Sequence, residues 1–423
     1  MRTIYLFILL SCSSFYGISQ VDTLKQDLDF PIESETFISI VENTLHSFYQ
    51  DWAKDKTTDS IIAALGYEKG DVPEFSDSLY CARLAEMNEM SPFHLDCNEA
   101  TLNTIKFFAK NRRRFTRIVL GRSQLYFGMF EEKLSNHDMP IELKYLSVIE
   151  SGLRPQVKSR VGATGLWQFM YRTGKKYGLE ENSYIDERMD PEKATEAACL
   201  FLKRLYRSYQ DWNMALAAYN AGPGNVNKAI RRSGGKTTYW EIRPYLPRET
   251  QGYVPNFIAM SYLMTYHAEH NIYPAKAKVY DFELDTVCLR SGIHMETIDS
   301  LTSWKLKDIE YVNPIYKTSY IPKTTPKQCI NIPIEKTKEW IAMEDSIYAL
   351  DSLIYTTPTQ TTETTNSSSN SSASGSKKYY AVRSGDSLWK IANKNGTTVA
   401  RLTKLNPGIH PNRLKIGQKI RIR

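Results

Sequence analysis

Beyond its first residues the chain lacks any apolar run that approaches the roughly 20 residues needed to cross a bilayer. Its 423 residues include only 7 His and 6 Cys, and the cysteine spacing matches no zinc-binding pattern. These absences argue against a membrane-embedded body and against a zinc site. With 42% hydrophobic and 24% charged residues, the composition is that of a water-soluble globular protein, and the length predicts about two to four folded units.

The N-terminus has the pattern of a secretory signal over residues 1–19. An apolar stretch follows Arg2, and the small residues Gly17 and Ser19 suit the −3 and −1 positions of a cleavage site. We therefore expect a bacterial protein that is exported to the periplasm and loses this signal by cleavage. A second interpretation places a lipobox at this end, so that Cys12 would carry a lipid and anchor the mature protein to the outer membrane.

Export would bring the cysteines into an oxidising compartment, where suitably placed thiols pair. Five cysteines lie outside the predicted signal, so at least one must be free or intermolecular. Cys199 lies in an apolar helical stretch and is predicted to be a buried free thiol. The candidate bridges are then Cys81 with Cys97 and Cys288 with Cys329.

Composition divides the chain at residues 356–378, which are rich in Ser, Thr and Asn and contain no aromatic residue. Such a segment has nothing to bury and is predicted to be a flexible linker. Residues 20–100 have a helical, loop-rich pattern without recognisable chemistry. Residues 101–270 have helical periodicity punctuated by Gly and Pro, as in the helix that Asp190 and Pro191 would start.

The C-terminal segment, residues 379–423, has the pattern strand, helix, helix, strand. Residues 377–423 contain twelve Lys or Arg and a single acid. In an exported protein, this basic character favours an anionic polymer or membrane over nucleic acid as partner. Residues 275–335 resemble the tail in sequence. Asn313 in this segment and Asn406 in the tail are each followed by a proline and, later, by an apolar strand. We predict that residues 275–335 are a diverged copy of the tail.

The most informative motifs lie between residues 140 and 255. A Glu150-Ser151 pair ends an apolar helix, and a Gly-rich turn, the sequence AAYNAG at 217–222 and the sequence ETQGYVP at 249–255 follow in that order. These motifs resemble those of the lytic transglycosylases, specifically of the membrane-bound lytic murein transglycosylase D group. The resemblance implies a mostly α chain, in which a lysozyme-like helical catalytic domain over 101–270 precedes small α+β modules.

Glu150 is the catalytic residue that this resemblance implies. The sequence agrees, because Leu143, Leu146 and Ile149 would bury the helix and partly desolvate a carboxyl group at its end, raising its pKa as a general acid requires. No second acid is expected near Glu150, so two-carboxylate hydrolysis is not predicted. The resemblance implies that the 6-hydroxyl of the N-acetylmuramyl sugar attacks instead, leaving a 1,6-anhydro end without metal or organic cofactor.

The resemblance also implies a set of substrate-binding positions around this acid. Ser159 would lie near the acetamido group, Gln168 and Met170 would line the cleft, and Tyr219 would help to position the reacting sugar. The remaining predicted substrate-binding residues are Ser151, Asn220, Glu249 and Tyr253. Trp167 can be interpreted equally well as a core residue or as a sugar platform.

The tail resembles a LysM module, through the run Val382–Trp389, the Asn406-Pro407 pair and the terminal strand. A LysM module implies binding to glycans that contain N-acetylglucosamine, so the predicted partner of the chain is the glycan strand of peptidoglycan. Two alternatives stay open for the whole protein. One is a hydrolytic muramidase of the same fold, and the other is a wall-binding protein whose catalytic domain is vestigial.

Overall fold

The computed structural model describes residues 66–68, 70–324, 327–355, 378–383, 386, 388–407, 409, 414 and 417–422. The predicted signal over residues 1–19, including Cys12, lies outside the described residues. So do residues 20–65 of the predicted N-terminal region and all of the predicted linker except Lys378. No helix in the described part of the chain is both long and apolar enough to cross a membrane.

Helices dominate the chain up to residue 265. They are α1 (Asp77–Glu89), α2 (Glu99–Asn111), α3 (Arg113–Asn136), α4 (Lys144–Ser151), α5 (Tyr171–Lys176), α6 (Pro191–Tyr209), α7 (Trp212–Ala221), α8 (Pro223–Arg232), α9 (Tyr239–Ile242) and α10 (Arg248–Thr265). Short 3₁₀ turns at Ile141–Leu143, Glu187–Met189 and Arg243–Tyr245 join some of them.

Side-chain caps fix where several of these helices begin. The Asp190 carboxylate accepts hydrogen bonds from the backbone N–H groups of Glu192 and Lys193, and Pro191 occupies the first turn. Asp211 caps α7 in the same way. Each cap satisfies backbone donors that an open helix end would leave unpaired. The helix start predicted at Asp190 is therefore confirmed.

Helix α10 lies at the centre of the helical domain. Fourteen of its eighteen residues are buried, and it packs against α2, α3, α4, α7 and the 3₁₀ turn Arg243–Tyr245. A helix that is buried on most of its sides must be surrounded by other elements, and this packing removes its apolar side chains from water. Because α10 contacts α4 directly, residues of these two helices can meet in one site.

A second unit follows the helical domain. It contains β1 (Leu284–Cys288), β2 (Ile293–His294), α11 (Met295–Leu301), α12 (Leu306–Val312), β3 (Tyr320–Ile321), β4 (Cys329–Pro333) and α13 (Ile334–Tyr355). Strands β1 and β4 pair antiparallel, with Leu284 opposite Pro333 and Cys288 opposite Cys329. We call residues 275–355 the middle module. It has its own apolar core, in which Trp304 and Trp340 are buried.

The tail contains β5 (Tyr379–Ala381), α14 (Leu388–Lys394), α15 (Val399–Leu405) and β6 (Lys419–Arg421). Strands β5 and β6 pair antiparallel, and the Thr398 side chain caps α15. The prediction of a mostly helical chain with small α+β modules toward its C-terminus is confirmed.

Both predicted disulfides are present, Cys81 with Cys97 and Cys288 with Cys329. Cys199 is free and buried, as predicted. The second disulfide joins the ends of β1 and β4, so it closes the two-stranded sheet on which the middle module is built. A crosslink of this kind restricts the unfolded chain and so stabilises the folded module.

The middle module is joined to the helical domain by backbone hydrogen bonds. The Asp186 N–H donates to the Ile315 carbonyl at 3.0 Å, and the Lys317 N–H donates to the Tyr184 carbonyl at 2.7 Å. On another side, the chain after α10 crosses α3 so closely that a Cβ at Gly121 would lie 2.3 Å from the Ala275 carbonyl oxygen. These contacts make the middle module an extension of the helical domain.

Candidate active site

Glu150 lies one residue before the end of α4. The helix buries Leu146, Val148 and Ile149, as its apolar pattern predicts, and this packing carries the Glu150 carboxyl group to the edge of the core. The helix ends at Gly152, whose φ of 58° is left-handed and whose N–H donates to the Val148 carbonyl. Glycine adopts this conformation without the steric cost that a Cβ brings.

Two side chains hold the end of this helix in place. The Arg122 guanidinium donates to the Gly152 carbonyl at 2.8 Å, and burial lowers the pKa of Arg122 to about 10. The Ser151 hydroxyl lies 2.9 Å from both the Ser147 and the Leu166 carbonyl oxygens. Because Ser151 is fully buried, its contacts are those of a residue that positions Glu150 rather than of one exposed to a ligand.

The environment of Glu150 favours its protonated form. Desolvation raises its pKa to about 8, opposed by the hydrogen bond from Tyr253 and assisted by the negative charge of Glu249. The Tyr253 hydroxyl donates to Glu150 Oε1. At neutral pH this carboxyl group therefore carries a proton that it can give to a leaving group, and Tyr253 can stabilise the carboxylate that results.

Tyr219 and Tyr253 approach the acid from α7 and α10. The Tyr219 hydroxyl donates to the Trp167 carbonyl at 2.7 Å. Burial and the charge of Glu150 raise the pKa of both tyrosines well above 10, so both remain neutral hydrogen-bond donors at physiological pH. We call Glu150, Tyr219 and Tyr253 the acid pocket.

Residues 157–170 form a loop that follows α4, which we call the substrate loop. The Ser159 hydroxyl accepts from the Ala163 N–H at 3.0 Å, and the Gln168 amide donates to the Gly165 carbonyl at 2.8 Å. Gln168 has a positive φ of 48°. Met170 is 44% exposed. The side chains of Ser159 and Gln168 thus shape the loop itself, while Met170 offers apolar surface to solvent.

Arg188 holds the substrate loop in place through hydrogen bonds. Its guanidinium is buried and donates to Asp186, to Glu181 and to the Gly162 carbonyl. A Cβ at Gly165 would lie 1.7 Å from the Arg188 carbonyl oxygen, so only glycine fits there. Sequence reasoning missed Arg188, because nothing in its neighbourhood along the chain marks a buried ion-pair network.

Asn220 and Glu249 are brought to the same region by the contact between α7 and α10. The Thr250 hydroxyl donates to Asn220 Oδ1 at 2.8 Å, which joins the end of α7 to the start of α10. Glu249 is close enough for its charge to raise the pKa of Glu150. The expectation that no second acid lies near Glu150 therefore needs correction, since Glu249 arrives from a helix about one hundred residues later in the chain.

Trp167 had two open interpretations, and the structure selects one of them. Its side chain is completely buried, its indole N–H donates to the Thr195 hydroxyl at 2.9 Å, and its ring packs against Phe130. A side chain without exposed surface cannot serve as a sugar platform. Trp167 is a core residue, and its carbonyl group is the part that contacts the acid pocket.

No group of three or more His, Cys, Asp or Glu side chains that could hold a metal ion occurs among the residues that the structure describes. A protonated carboxyl group, a tyrosine hydroxyl bonded to it and a second carboxylate nearby can together perform general acid and base catalysis on a glycosidic bond.

Comparison with known protein families assigns two parts of the chain. Residues 128–242 match the family model of the Transglycosylase SLT domain, and residues 380–423 match that of the LysM domain. These two matches agree with the two resemblances found in the sequence. The first match includes Glu150, the substrate loop and Tyr219, whereas Glu249 and Tyr253 lie beyond its end.

Individual relatives agree with these matches. The chain is 29% identical over 317 residues to the membrane-bound lytic murein transglycosylase D of Escherichia coli K12, covering 71% of this chain and 64% of that protein. It is 32% identical over 145 residues to the soluble lytic murein transglycosylase of the same strain, covering 32% of this chain and 22% of that protein. The chain therefore spans less than two thirds of the length of these relatives.

One solved structure, the 70 kDa soluble lytic transglycosylase from Escherichia coli, aligns with 62% of this chain and 40% of its own. Its identity is 21% and its TM-score is 0.32.

Proposed function

We propose that this protein is a peptidoglycan lytic transglycosylase that cleaves the β-1,4 bond between N-acetylmuramic acid and N-acetylglucosamine. The observation that carries the proposal is the half-buried Glu150, whose pKa is raised to about 8 and which accepts a hydrogen bond from Tyr253. The match to the SLT domain supports it, as does the activity named for the two murein transglycosylases.

The proposed reaction needs a single proton shuttle. Glu150 protonates the glycosidic oxygen, and the bond from that oxygen to C1 of the muramyl sugar breaks. The 6-hydroxyl of the same sugar then bonds to C1, and Glu150 takes up the hydroxyl proton. The products are a free 4-hydroxyl and a 1,6-anhydro end, so atoms balance without water or a cofactor. Tyr253 stabilises the carboxylate between the two transfers.

We propose that the predicted substrate-binding residues divide into two groups. Met170, Tyr219, Asn220 and Glu249 would contact sugar along the cleft. Ser151, Ser159 and Gln168 would act mainly by holding α4 and the substrate loop in shape, because their side chains bond to the backbone. Tyr253 belongs to neither group, since it bonds to Glu150.

Glu249 gives a specific reason to keep hydrolysis as a second candidate. A muramidase would use a second carboxylate to activate water or to attack the sugar, and Glu249 is the carboxylate whose charge acts on Glu150. Product mass from purified sacculi separates the two, because an anhydro end is lighter than a hydrolysed end by one water. Only reducing ends among the products would overturn the transglycosylase proposal.

A non-enzymatic function is the third candidate. If the catalytic domain were vestigial, the variant Glu150→Gln would release soluble fragments from sacculi at the rate of the parent protein. We expect the parent to release fragments and the variant to release almost none. Both forms should bind sacculi equally, which serves as the control for folding.

The tail is proposed to hold the enzyme on its substrate. A LysM module joined through the predicted linker would raise the local concentration of the catalytic domain at the wall. We expect deletion of residues 356–423 to leave the rate on soluble glycan fragments within about twofold and to weaken pelleting with insoluble sacculi about tenfold or more. Equal pelleting of the full and truncated chains would contradict a glycan-binding function of the tail.

Residues 275–335 of the middle module are proposed to be a diverged copy of the tail. In the tail, Asn406 donates to the Arg421 carbonyl at 2.8 Å and accepts from the Arg421 N–H at 2.8 Å. In the middle module, Asn313 donates to the Asn331 carbonyl at 2.9 Å and accepts from its N–H at 2.8 Å. In each unit, one asparagine thus bonds to both the N–H and the carbonyl group of a residue in the last strand. This shared contact supports common descent.

The site of action is proposed to be the periplasmic side of the cell envelope. The signal pattern over residues 1–19 supports export, and one relative is named as a membrane-bound murein enzyme. Lipidation at Cys12 would add an outer-membrane anchor. Labelling of the expressed protein with a radioactive fatty acid, with Cys12→Ala as control, tests that anchor.

A further inference from the structure

Residues 315–317 of the middle module lie against residues 184–186 of the helical domain. An antiparallel bridge joins Ile185 to Tyr316, and backbone hydrogen bonds flank this bridge on both sides. The Ile185 side chain is buried in the apolar core of the middle module. Because its backbone is fixed by this pairing, Lys317 starts from a defined position beside the helical domain.

The Lys317 ammonium group reaches two acceptors of the helical domain. Its Nζ donates to Glu181 Oε1 at 2.9 Å and to the Asn182 carbonyl at 2.8 Å. The side chains of Lys317 and Glu181 are 32% and 24% exposed, so water screens this pair only in part. An ion pair that is fully open to solvent contributes little, whereas two acceptors and partial burial restrict this ammonium group to one geometry.

Glu181 shares its two carboxylate oxygens between Lys317 and Arg188. Oε1 accepts from Lys317, and Oε2 accepts from Arg188 at 2.8 Å. A carboxylate with a cation on each oxygen cannot rotate without losing a charged hydrogen bond. The Arg188 side chain is only 4% exposed, so a weakened carboxylate partner leaves its buried charge less well compensated. Lys317 therefore fixes the orientation in which Glu181 meets Arg188.

Arg188 connects this arrangement to the substrate loop. Its guanidinium donates to the Gly162 carbonyl at 3.1 Å and to the Phe169 carbonyl at 3.4 Å. Phe169 directly precedes Met170, and its ring lies against Tyr219 of the acid pocket with 6.4 Å between centroids. A continuous series of hydrogen bonds thus leads from the middle module to two points of the substrate loop.

We propose that Lys317 is a positioning residue for the substrate loop, acting through Glu181 and Arg188, so that the middle module completes the active site of the helical domain. The inference rests on the proposed function for the identity of the substrate. In this arrangement Lys317 supports substrate binding without touching the sugar. Its loss should weaken binding and leave the proton shuttle of Glu150 intact.

Amide hydrogen exchange of the substrate loop reads this coupling without any turnover. The full chain is compared with Lys317→Met, with Glu181→Gln and with the double variant. We expect loop amides to exchange about 3- to 10-fold faster in each single variant, a moderate change because Asp186 still pairs with Arg188. The double variant should match Glu181→Gln, since both changes break one series of contacts. Amides of α10 should keep their parent rates, because the domain stays folded.

Kinetics on soluble glycan strands give the second measurement. Lys317→Met should raise KM about 3- to 10-fold and leave kcat within about twofold, as expected when only binding is weakened. A fall in kcat with unchanged KM would overturn the proposal, because it would place the effect of Lys317 on the chemical step.

Lys305→Met is the matched control, since Lys305 pairs with Asp299 inside the middle module at 3.0 Å. It should leave both the loop exchange and KM unchanged. Unchanged loop exchange in Lys317→Met, equal acceleration in Lys305→Met or equal acceleration of α10 would each overturn the proposal. The exchange measurement needs no turnover, and the products of the parent chain are identified separately. Failure of this inference and failure of the transglycosylase function therefore remain distinguishable.

Discussion

The acid pocket and the substrate loop differ in how they are built. The acid pocket is formed by side chains from three helices, where burial raises the pKa of Glu150 and Tyr253 is only 5% exposed. The substrate loop is held by backbone hydrogen bonds and by the Arg188 network, and it leaves Met170 open to solvent. The comparison suggests that changes in the pocket affect the chemical step, whereas changes in the loop affect binding or folding.

Glu150→Gln should give the largest effect. The amide keeps the shape of the side chain but cannot transfer a proton, so kcat should fall by about 10²- to 10⁴-fold. Release of soluble fragments from sacculi measures it, with Glu142→Gln in the turn before α4 as the control. A fall of less than tenfold would mean that the acid pocket is not the site of chemistry.

Tyr253→Phe should have the next largest effect, because it removes the hydrogen bond that favours the Glu150 carboxylate. The pKa of Glu150 should then rise above about 8, so the protonated form persists to higher pH. The alkaline limb of the pH profile of kcat/KM should therefore move to higher pH. The rate at its optimum should fall about 10- to 100-fold, since the carboxylate formed during reaction loses a charged hydrogen bond.

Tyr219→Phe is the control for that pH profile. The Tyr219 hydroxyl donates to the Trp167 carbonyl and not to Glu150. The alkaline limb of the variant's pH profile should therefore coincide with that of the parent enzyme. If both variants moved the limb equally, the shift would reflect general loosening of the pocket rather than the hydrogen bond from Tyr253.

Gly165→Ala tests the loop side of the comparison through stability. The added Cβ would meet the Arg188 carbonyl oxygen, and the φ of +92° is unfavourable for alanine. We expect a loss of about 2–5 kcal/mol in the free energy of unfolding, measured by denaturant titration. Gly162→Ala, with a φ of +88° but nothing within 4 Å, should cost only about 1–2 kcal/mol.

Met170→Ala should give the smallest effect. Removing this exposed side chain should raise KM about two- to fivefold and leave kcat unchanged, as expected when binding is lost equally from the ground state and the transition state. Val161→Ala, which is 74% exposed on the same loop, is the control. A fall in kcat with unchanged KM would place Met170 with the acid pocket instead.

Local patterns predicted the parts of the molecule that local physics determines. The cap at Asp190 and the apolar face of α4 follow from side chains within a few residues of one another. The motifs of the tail likewise lie within 45 residues. Those predictions agree with the structure, as does the pairing of the four bridged cysteines.

Contacts between segments that lie far apart along the chain could not be predicted from the sequence. The proximity of Glu249 to Glu150 depends on how α10 packs against α4, and the network of Arg188 depends on which carbonyl groups of the substrate loop face it. Neither contact has a periodic signature. The two interpretations of Trp167 could not be separated for the same reason, because burial of a tryptophan depends on the elements that surround it.

The most direct test of the account is digestion of sacculi in water enriched in ¹⁸O, with the parent enzyme, Glu150→Gln and Glu249→Gln in parallel. If Glu150 is acid and then base for an internal attack, new ends formed by the parent and by Glu249→Gln will be anhydro and free of ¹⁸O, and Glu150→Gln will form almost none. Incorporation of one ¹⁸O at each cut, lost in Glu249→Gln, would contradict the account and identify a two-carboxylate hydrolase.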